Sequence, residues 1–132
     1  MSSTTTARPF RILVAEDDSA TRDLAVSVLE KEGLDVHSTS DGMDALFEIA
    51  RDPSIALLVT DIFMPGLDGW ALARKAKCLR PELRVVYMSA FATAIPAPGQ
   101  STGLGPLLPK PWQPTQLRNC VRRLTRRGAA AR

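Results

Sequence analysis

The sequence predicts an α/β fold, a doubly wound parallel sheet of five strands with helices on both faces. Short apolar runs alternate with segments whose apolar residues have helical spacing, and this alternation is typical of such a sheet. The third run, Ile55–Thr60, is continuously apolar up to its last residue, as expected of a central strand covered on both sides. Charged residues follow several runs, at the end of the sheet where folds of this class bind ligands.

The first half of the chain supplies three strands and two helices. Aliphatic and β-branched runs define the strands, whereas the helical stretches repeat apolar residues every three or four positions. Gly33 ends the first helix. The residues of this helix expected to face the core are Leu24, Ala25, Val28 and Leu29. The expected bounds are Arg11–Ala15, Leu34–Ser40 and Ile55–Thr60 for the strands, and Ser19–Glu32 and Asp41–Arg51 for the helices.

The second half is less regular. A helix over Trp70–Leu79 and a strand over Leu83–Ala90 precede residues 93–106, which contain three prolines and three glycines. Proline removes a backbone donor and glycine costs entropy in a helix, so a loop or irregular segment is expected there instead of a full helix. Leu107–Pro109 is predicted as the fifth strand and Pro114–Arg127 as the last helix.

Length and composition indicate one globular domain. The chain has 132 residues, of which 45% are hydrophobic and 23% charged, enough apolar content for a core. We expect the domain at residues 10–127, a disordered segment at 1–9 and a flexible basic end at 128–132. No apolar run is long enough to cross a membrane, and the first residues lack the apolar stretch of a secretory signal. Cys78 and Cys120 make no metal or disulfide pattern, so a reduced cytoplasmic protein is expected.

The charge is distributed unevenly along the chain. There are 17 basic and 14 acidic residues, a net charge of +3, but seven of the basic residues and none of the acidic ones lie from Lys110 onward. One alternative function is therefore a small nucleic-acid-binding protein that uses the basic C-terminal helix. The polar face of an amphipathic helix accounts for the same arginines, and no helix-turn-helix or other DNA-reading unit fits the remaining length.

The residues at the strand ends indicate a site for phosphoryl chemistry. Glu16 and Asp17 follow the first strand, Asp61 the third, Ser89 the fourth and Lys110 the fifth. Three carboxylates brought together repel one another, and a divalent cation or the lysine relieves that repulsion. Hard oxygen ligands favour Mg²⁺. Asp61 would then be a nucleophile that forms an acyl phosphate, with charge on the phosphoryl oxygens neutralised by the metal and Lys110.

Four motifs together resemble the receiver domain of two-component response regulators. They are ILVAEDD (12–18), TDIFMPGLDGW (60–70), VVYMSA (85–90) and LPKPW (108–112), and the resemblance spans about Phe10 to Arg127. It implies a (βα)5, flavodoxin-like fold and a signalling phosphoacceptor, not an enzyme. The partner it implies is a histidine kinase or histidine phosphotransfer protein. The chain resembles a stand-alone receiver that signals by protein–protein contacts, and the excised receiver of a hybrid kinase or larger regulator is a second interpretation. A homodimer is left open, no membrane partner is expected, and nucleic-acid binding stays the alternative function.

The resemblance assigns roles to the acidic residues. Asp61 would be the phosphoacceptor, and Asp17 and Asp61 would be direct Mg²⁺ ligands. Glu16 would act through a metal-bound water, and the backbone carbonyl of Phe63 would be a further ligand. Phe63 and Phe91 are both bulky and apolar, and we expect them to restrict the water that would hydrolyse the acyl phosphate.

The same resemblance assigns the remaining site residues. Ser89 would be the switch hydroxyl and Lys110 the lysine that contacts the phosphoryl group, with a cis Lys110–Pro111 bond. Leu107 stands where many receivers have an aromatic side chain that swings inward, so that coupling is expected to be altered. Residues 93–106 replace the usual fourth helix, so the usual signalling face is expected to be altered as well.

The sequence does not contain the motifs of enzymes that have a similar fold. No GxxxxGK[ST] loop is present, and acids occupy the place where GxGxxG would follow the first strand. An aspartate phosphatase would carry its nucleophile after the first strand, whereas the best nucleophile here follows the third. Asp68 precedes Gly69 and a predicted helix, and it is expected to cap that helix.

Overall fold

The computed structural model describes residues 10–90 and 105–130. Within these ranges five strands form one sheet in the order β2-β1-β3-β4-β5, and every neighbouring pair is parallel. The strands are β1 (Arg11–Ala15), β2 (Asp35–Thr39), β3 (Ile55–Asp61), β4 (Arg84–Ser89) and β5 (Leu107–Pro109). The helices are α1 (Ser19–Glu30), α2 (Gly42–Arg51), α3 (Gly69–Leu79) and α4 (Pro114–Ala130). The predicted doubly wound parallel sheet is confirmed.

The core has two layers, one on each face of the sheet. Successive residues of a strand point to opposite faces, so Leu13 of β1 joins one layer and Ile12 and Val14 join the other. Helices α2 and α3 cover the first face, and α1 and α4 cover the second. The helical residues buried there include Ala45, Ile49, Leu72 and Ala76 on the first face, and Ala25, Val28, Leu117 and Val121 on the second.

The strand order places a crevice between β1 and β3. From β1 the chain passes to β2 on one side and to β3, β4 and β5 on the other. Such a reversal leaves a gap above the carboxyl ends of the two central strands, where ligands bind in folds of this class. Ala15 pairs with Thr60 in the β1–β3 ladder, so Glu16 and Asp61 follow directly from paired positions.

One core prediction is wrong. Leu24 was expected to face the core, but it is 47% exposed. It lies at a cavity of about 330 Å³ between α1 and the connection from β5 to α4, which Thr21, Pro111 and Trp112 also line. Burial in α1 begins one residue later, at Ala25, because that connection does not close over Leu24.

The predicted bounds hold to within a few residues. Helix α1 ends at Glu30, two residues before the predicted end, and α4 continues to Ala130 beyond the predicted Arg127. Gly105 and Pro106 lead into β5 without helical structure. Residues 93–104 of the predicted irregular segment lie outside the described residues, as do Phe91 and the predicted disordered segment 1–9. None of the described helices has the length and apolar character needed to cross a membrane.

Candidate functional site

Three carboxylates meet at the crevice between β1 and β3. Glu16 and Asp17 follow β1 and Asp61 ends β3, and one carboxylate oxygen from each lies within 4.8 Å of the other two. Glu16 is fully buried and Asp61 is 7% exposed, whereas Asp17 is exposed. The cluster predicted from the strand ends is therefore assembled, with Asp17 on its solvent side.

Lys110 supplies a positive charge to this cluster. It follows β5, and its Nζ lies 2.7 Å from Glu16 Oε1 and 3.2 Å from Asp61 Oδ2. One ammonium group offsets only one of three carboxylates, so the crevice keeps an excess of negative charge that favours a cation. The Lys110–Pro111 peptide bond is cis, as predicted.

Burial and ion pairing act in opposite directions on Glu16 and Lys110. Burial raises the pKa of Glu16, and the hydrogen bonds from Lys110 and the Asp18 backbone oppose that rise only in part. For Lys110, burial works against the charged form, but its contacts with Glu16 and Asp61 outweigh burial and raise its pKa. The lysine therefore stays protonated beside the two buried acids.

Backbone contacts hold Glu16 from two further directions. Glu16 Oε2 accepts a hydrogen bond from the Asp18 backbone N at 3.1 Å, and the Glu16 carbonyl accepts one from Arg22 Nη1 at 2.9 Å. Asp18 itself caps α1 by accepting from the backbone N and the hydroxyl of Thr21. The third acid of the run is thus a cap outside the carboxylate cluster, and the Thr21 bonds lower its pKa.

Arg22 is a site residue that the sequence reasoning missed. It closes the first turn of α1, where an arginine is most often a solvated surface residue. The only sequence feature that could have indicated this role is its spacing of six residues from Glu16. That spacing lets the first turn of α1 return the Arg22 side chain to the end of β1. Its guanidinium holds the backbone carbonyl of Glu16, and within the described residues it makes no hydrogen bond or ion pair with the three carboxylates.

The connection from β3 to α3 holds the backbone of Asp61. Gly69 donates its backbone N–H to the Ile62 carbonyl at 2.7 Å. A Cβ at Gly69 would overlap the carbonyl oxygen of Asp61 and lie 2.8 Å from Ile62 Cα, so only glycine lets α3 begin this close to the strand end. Asp68 caps α3 by accepting from Ala71 N at 2.8 Å, which confirms the predicted cap.

Ser89 and Phe63 lie at the same edge of the sheet. Asp61 pairs with Met88 in the β3–β4 ladder, so Ser89 is the next residue along β4, and it is 1% exposed. Its carbonyl accepts a hydrogen bond from the Lys110 backbone N at 2.7 Å. Phe63, two residues beyond Asp61, is 54% exposed. All the predicted site residues within the described ranges therefore gather at one end of the sheet.

The basic residues of α4 are partly engaged within the domain. Arg122 Nη2 lies 2.6 Å from Glu32 Oε1, and Arg118 Nε lies 3.6 Å from Glu32 Oε2. Glu32 follows α1, so these contacts bind α4 to α1 at the face where the two helices pack. The arginines at these two positions therefore already have an acidic partner within the domain.

A five-stranded parallel sheet with an acidic crevice at its carboxyl end is the arrangement expected of a receiver domain. Comparison with known protein families supports this class. The family model for the response regulator receiver domain matches residues 12–122. The chain belongs to the response regulator receiver domain family.

Curated relatives include regulators and a kinase. The chain is 42% identical to the response regulator receiver protein CpdR of Brucella abortus over 82 residues, which cover 62% of this chain and 68% of that protein. It is 35% identical to the DNA-binding transcriptional regulator NtrC of Azospirillum brasilense over 85% of this chain but only 23% of NtrC. It is 31% identical to the sensor kinase CckA of Brucella abortus over 86% of this chain and 12% of CckA. The chain thus spans a minor part of the two larger relatives.

Solved structures support the same fold. The receiver domain of the hybrid histidine kinase CckA superposes with a TM-score of 0.72 at 32% identity, covering 86% of this chain and 96% of that one. A receiver domain from Clostridium thermocellum gives a TM-score of 0.81 at 24% identity, covering 93% of this chain and 99% of that one. The second likeness, at that identity, speaks for the fold alone.

Proposed function

We propose that this chain is the phosphoacceptor receiver of a two-component phosphorelay. Asp61 takes a phosphoryl group from a histidine kinase or a histidine phosphotransfer protein, with Mg²⁺ bound, and the domain signals through protein–protein contacts. The observation that carries the proposal is the position of Asp61, at the end of β3, among Glu16, Asp17 and Lys110.

The donor set fits Mg²⁺. This cation prefers oxygen ligands and keeps several of its waters, and the cluster offers three carboxylates with one of them, Asp17, open to solvent. Asp17 and Asp61 would hold the ion directly, Glu16 through a water, and Phe63 through its backbone carbonyl. When bound, Mg²⁺ would neutralise charge on the transferring phosphoryl group.

The chain's own residues account for the transfer. An Asp61 carboxylate oxygen attacks the phosphorus, a P–O bond forms, and the P–N bond to the donor imidazole breaks. The electron pair of that bond stays with the imidazole, which takes up a proton, and Asp61 becomes an acyl phosphate. Lys110, already 3.2 Å from Asp61 Oδ2, pairs with a phosphoryl oxygen, and the Ser89 hydroxyl donates a hydrogen bond to another.

The domain's own chemistry would be limited to gaining and losing this phosphoryl group. Loss requires water at the phosphorus, on the solvent side of the crevice near Asp17. Phe63 lies two residues beyond Asp61 at the same edge of the sheet, and its ring would restrict that water. The domain is thus a phosphoacceptor with a set lifetime and not an enzyme that turns over a separate substrate.

The partner is proposed from the family. One relative is named as a sensor kinase and a similar structure as the receiver of a hybrid histidine kinase, which supports a histidine kinase or phosphotransfer protein as phosphodonor. A cytoplasmic location is proposed together with such a donor. The downstream protein and a homodimer are left to experiment. Arg118 and Arg122 contact Glu32, and no observation on the residues that the structure describes favours nucleic-acid binding.

Acetyl phosphate and Mg²⁺ test the proposal without a cognate kinase. Wild-type protein should gain the mass of one phosphoryl group, and the adduct should be stable in acid and labile in alkali. Asp61→Asn should gain none, whereas Asp68→Asn, a matched change at a helix cap, should be phosphorylated like the wild type. If wild type and Asp61→Asn behave alike, Asp61 is not the phosphoacceptor.

A further inference from the structure

The junction between β2 and α2 contacts the backbone on both sides of the carboxylate cluster. We use "the β2–α2 junction" for residues 39–42, none of which is a candidate ligand. On one side the Thr39 carbonyl accepts a hydrogen bond from the Glu16 backbone N at 3.1 Å. On the other side Gly42 lies against Leu67, in the connection from β3 to α3 that also carries Phe63.

The contact at Gly42 is between backbones. A Cβ on Gly42 would overlap the carbonyl oxygen of Leu67 and lie 2.9 Å from Leu67 Cβ. Because the closest atom belongs to the backbone, no side-chain rotation could relieve such an overlap. The hydrogen atom at Gly42 therefore sets how closely α2 approaches the connection.

The junction is anchored on its own side. Asp41 caps α2 by accepting from Asp44 N at 2.8 Å, and the Thr39 hydroxyl lies 3.4 Å from the Asp41 carbonyl oxygen. One turn further along α2, Ala45 is fully buried. The start of the helix cannot withdraw from Leu67 without disturbing its cap and core.

The connection from β3 to α3 is also held at several points. Its ends are joined by the bond from Gly69 N to the Ile62 carbonyl at 2.7 Å. Met64 is 8% exposed and belongs to the core, and Gly66 has a φ of 78°, a left-handed conformation that favours glycine. A shift of the Leu67 carbonyl would therefore spread to Phe63, because the fixed ends leave the connection little freedom to absorb it.

We propose that the β2–α2 junction, acting through Gly42, positions the Mg²⁺ site by fixing the spacing between Glu16 and the backbone carbonyl of Phe63. Gly42 touches no ligand atom and is a positioning residue in this scheme. The inference rests on the proposed function, because Phe63 is a ligand only if the cluster binds Mg²⁺. The β2–α2 junction contains no ligand of the metal, yet in this scheme it belongs to the site. The affinity of the site for Mg²⁺ would then depend on the position of the start of α2.

Calorimetric titration with Mg²⁺ of the unphosphorylated protein tests the inference directly. Gly42→Ala should weaken Mg²⁺ binding about tenfold, the scale expected for groups that orient metal ligands. Ile49→Val is the matched control, because it removes one methyl group from the other end of α2 and should lower the melting temperature without changing Mg²⁺ affinity. With acetyl phosphate, Gly42→Ala should need about tenfold more Mg²⁺ for half-maximal rate and keep its rate at saturating Mg²⁺.

A second pair of variants decides the question if Gly42→Ala does not fold. Asp41→Ala removes the cap and loosens the first turn of α2, whereas Asp41→Asn keeps a side chain that can cap. Asp41→Ala should bind Mg²⁺ more weakly than Asp41→Asn. Equal affinities within this pair, or wild-type affinity in a folded Gly42→Ala, would overturn the inference. Failure of the wild type itself to bind Mg²⁺, or equal binding by Asp61→Asn, would instead overturn the metal site of the proposed function.

Discussion

The two ends of the sheet each place one basic side chain between two acids, but in different surroundings. At the carboxyl end Lys110 lies between Glu16 and Asp61. At the amino end Arg11 lies between Asp35 and Asp52, with Nη2 2.9 Å from Asp35 Oδ2 and Nη1 2.7 Å from Asp52 Oδ2. The two sites thus have the same arrangement of charges. They differ in burial and in how many hydrogen bonds each carboxylate accepts.

At the amino end the acids are satisfied. The Asp52 carboxylate accepts from the hydroxyl and the backbone N of Ser54 at 2.6 and 3.0 Å. The Ser54 hydroxyl, together with the Ser54 backbone and Arg11, lowers the pKa of Asp52 to about 2. At the carboxyl end burial instead raises the pKa of Glu16, and the exposed Asp17 has no hydrogen-bond or ion-pair partner of this kind within residues 10–90 and 105–130. A closed network stabilises the fold, whereas an incompletely neutralised one has capacity for a cation.

The largest effect is expected from removing the basic residue of the site. Lys110→Met leaves Glu16 and Asp61 buried without an opposite charge, and it removes the group that pairs with the transferring phosphoryl oxygens. The rate of phosphorylation by acetyl phosphate at saturating Mg²⁺ should fall about a hundredfold or more. Lys75→Met, at an exposed position on α3, should leave that rate unchanged. A Lys110→Met protein that reacts at the wild-type rate would remove Lys110 from the phosphoryl site.

Neutralising the buried acid should have the next largest effect. Glu16→Gln keeps the shape of the side chain but removes one of three charges from the cluster, so Mg²⁺ affinity should fall about tenfold in calorimetric titration. Because burial disfavours the charge of Glu16 in the metal-free protein, the melting temperature without Mg²⁺ should not fall in parallel. Asp35→Asn is the control at the other end of the sheet. An equal loss of affinity in both variants would mean that general electrostatics, and not ligation near Glu16, governs the binding.

At the amino end the expected effect is on stability and depends on pH. In the folded state the pKa of Asp52 is lowered from its ordinary 3.8 to about 2. The stability that the ionised carboxylate contributes is therefore fully present above pH 3.8 and is lost as the pH falls through about 2. Asp52→Asn should lower the free energy of unfolding by about 1 kcal/mol at pH 7, the upper range for partly exposed ion pairs. When urea unfolding is repeated at pH values from 4 down to 2.5, the difference in stability between variant and wild type should shrink. Asp35→Asn, with its more exposed carboxylate, should cost less. A deficit in Asp52→Asn that persists unchanged into acid would assign the loss to packing.

What the sequence predicts well is what local patterns determine. Asp61 was found because it follows an apolar run, and Asp68 because it precedes a glycine and a helix; neither inference needs a distant residue. Lys110 and Glu16 are 94 residues apart. That Lys110 would approach the carboxylates was expected only because parallel strands end at the same edge of a sheet, and its pairing with Glu16 in particular was not predicted.

Contacts that depend on the packing of two particular elements escaped prediction. Nothing around Gly42 indicates that Leu67 will lie against it, and nothing around Glu32 indicates Arg118 and Arg122. Leu24 has the spacing of a core residue, yet its burial depends on how the connection from β5 to α4 crosses α1. Such contacts are set by the distance and angle between elements, which hydrophobic periodicity does not encode.

The smallest effect, and the one that bears most on how the two ends differ, concerns water at Phe63. The amino-end acids are closed off by their own partners, whereas the carboxyl-end site is open at Asp17 and is limited on one side by a ring that is itself 54% exposed. Phe63→Ser removes that ring but keeps the backbone carbonyl, so Mg²⁺ affinity should hold while the acyl phosphate hydrolyses severalfold faster, because more water reaches the phosphorus. The measurement is the decay of the phosphorylated mass after removal of acetyl phosphate. Phe47→Ser, which changes a comparably exposed phenylalanine on α2, should leave the lifetime unchanged. An unaltered lifetime in Phe63→Ser would mean that the ring does not limit access of water, and that the lifetime is set by Lys110 and the other groups that contact the phosphoryl oxygens.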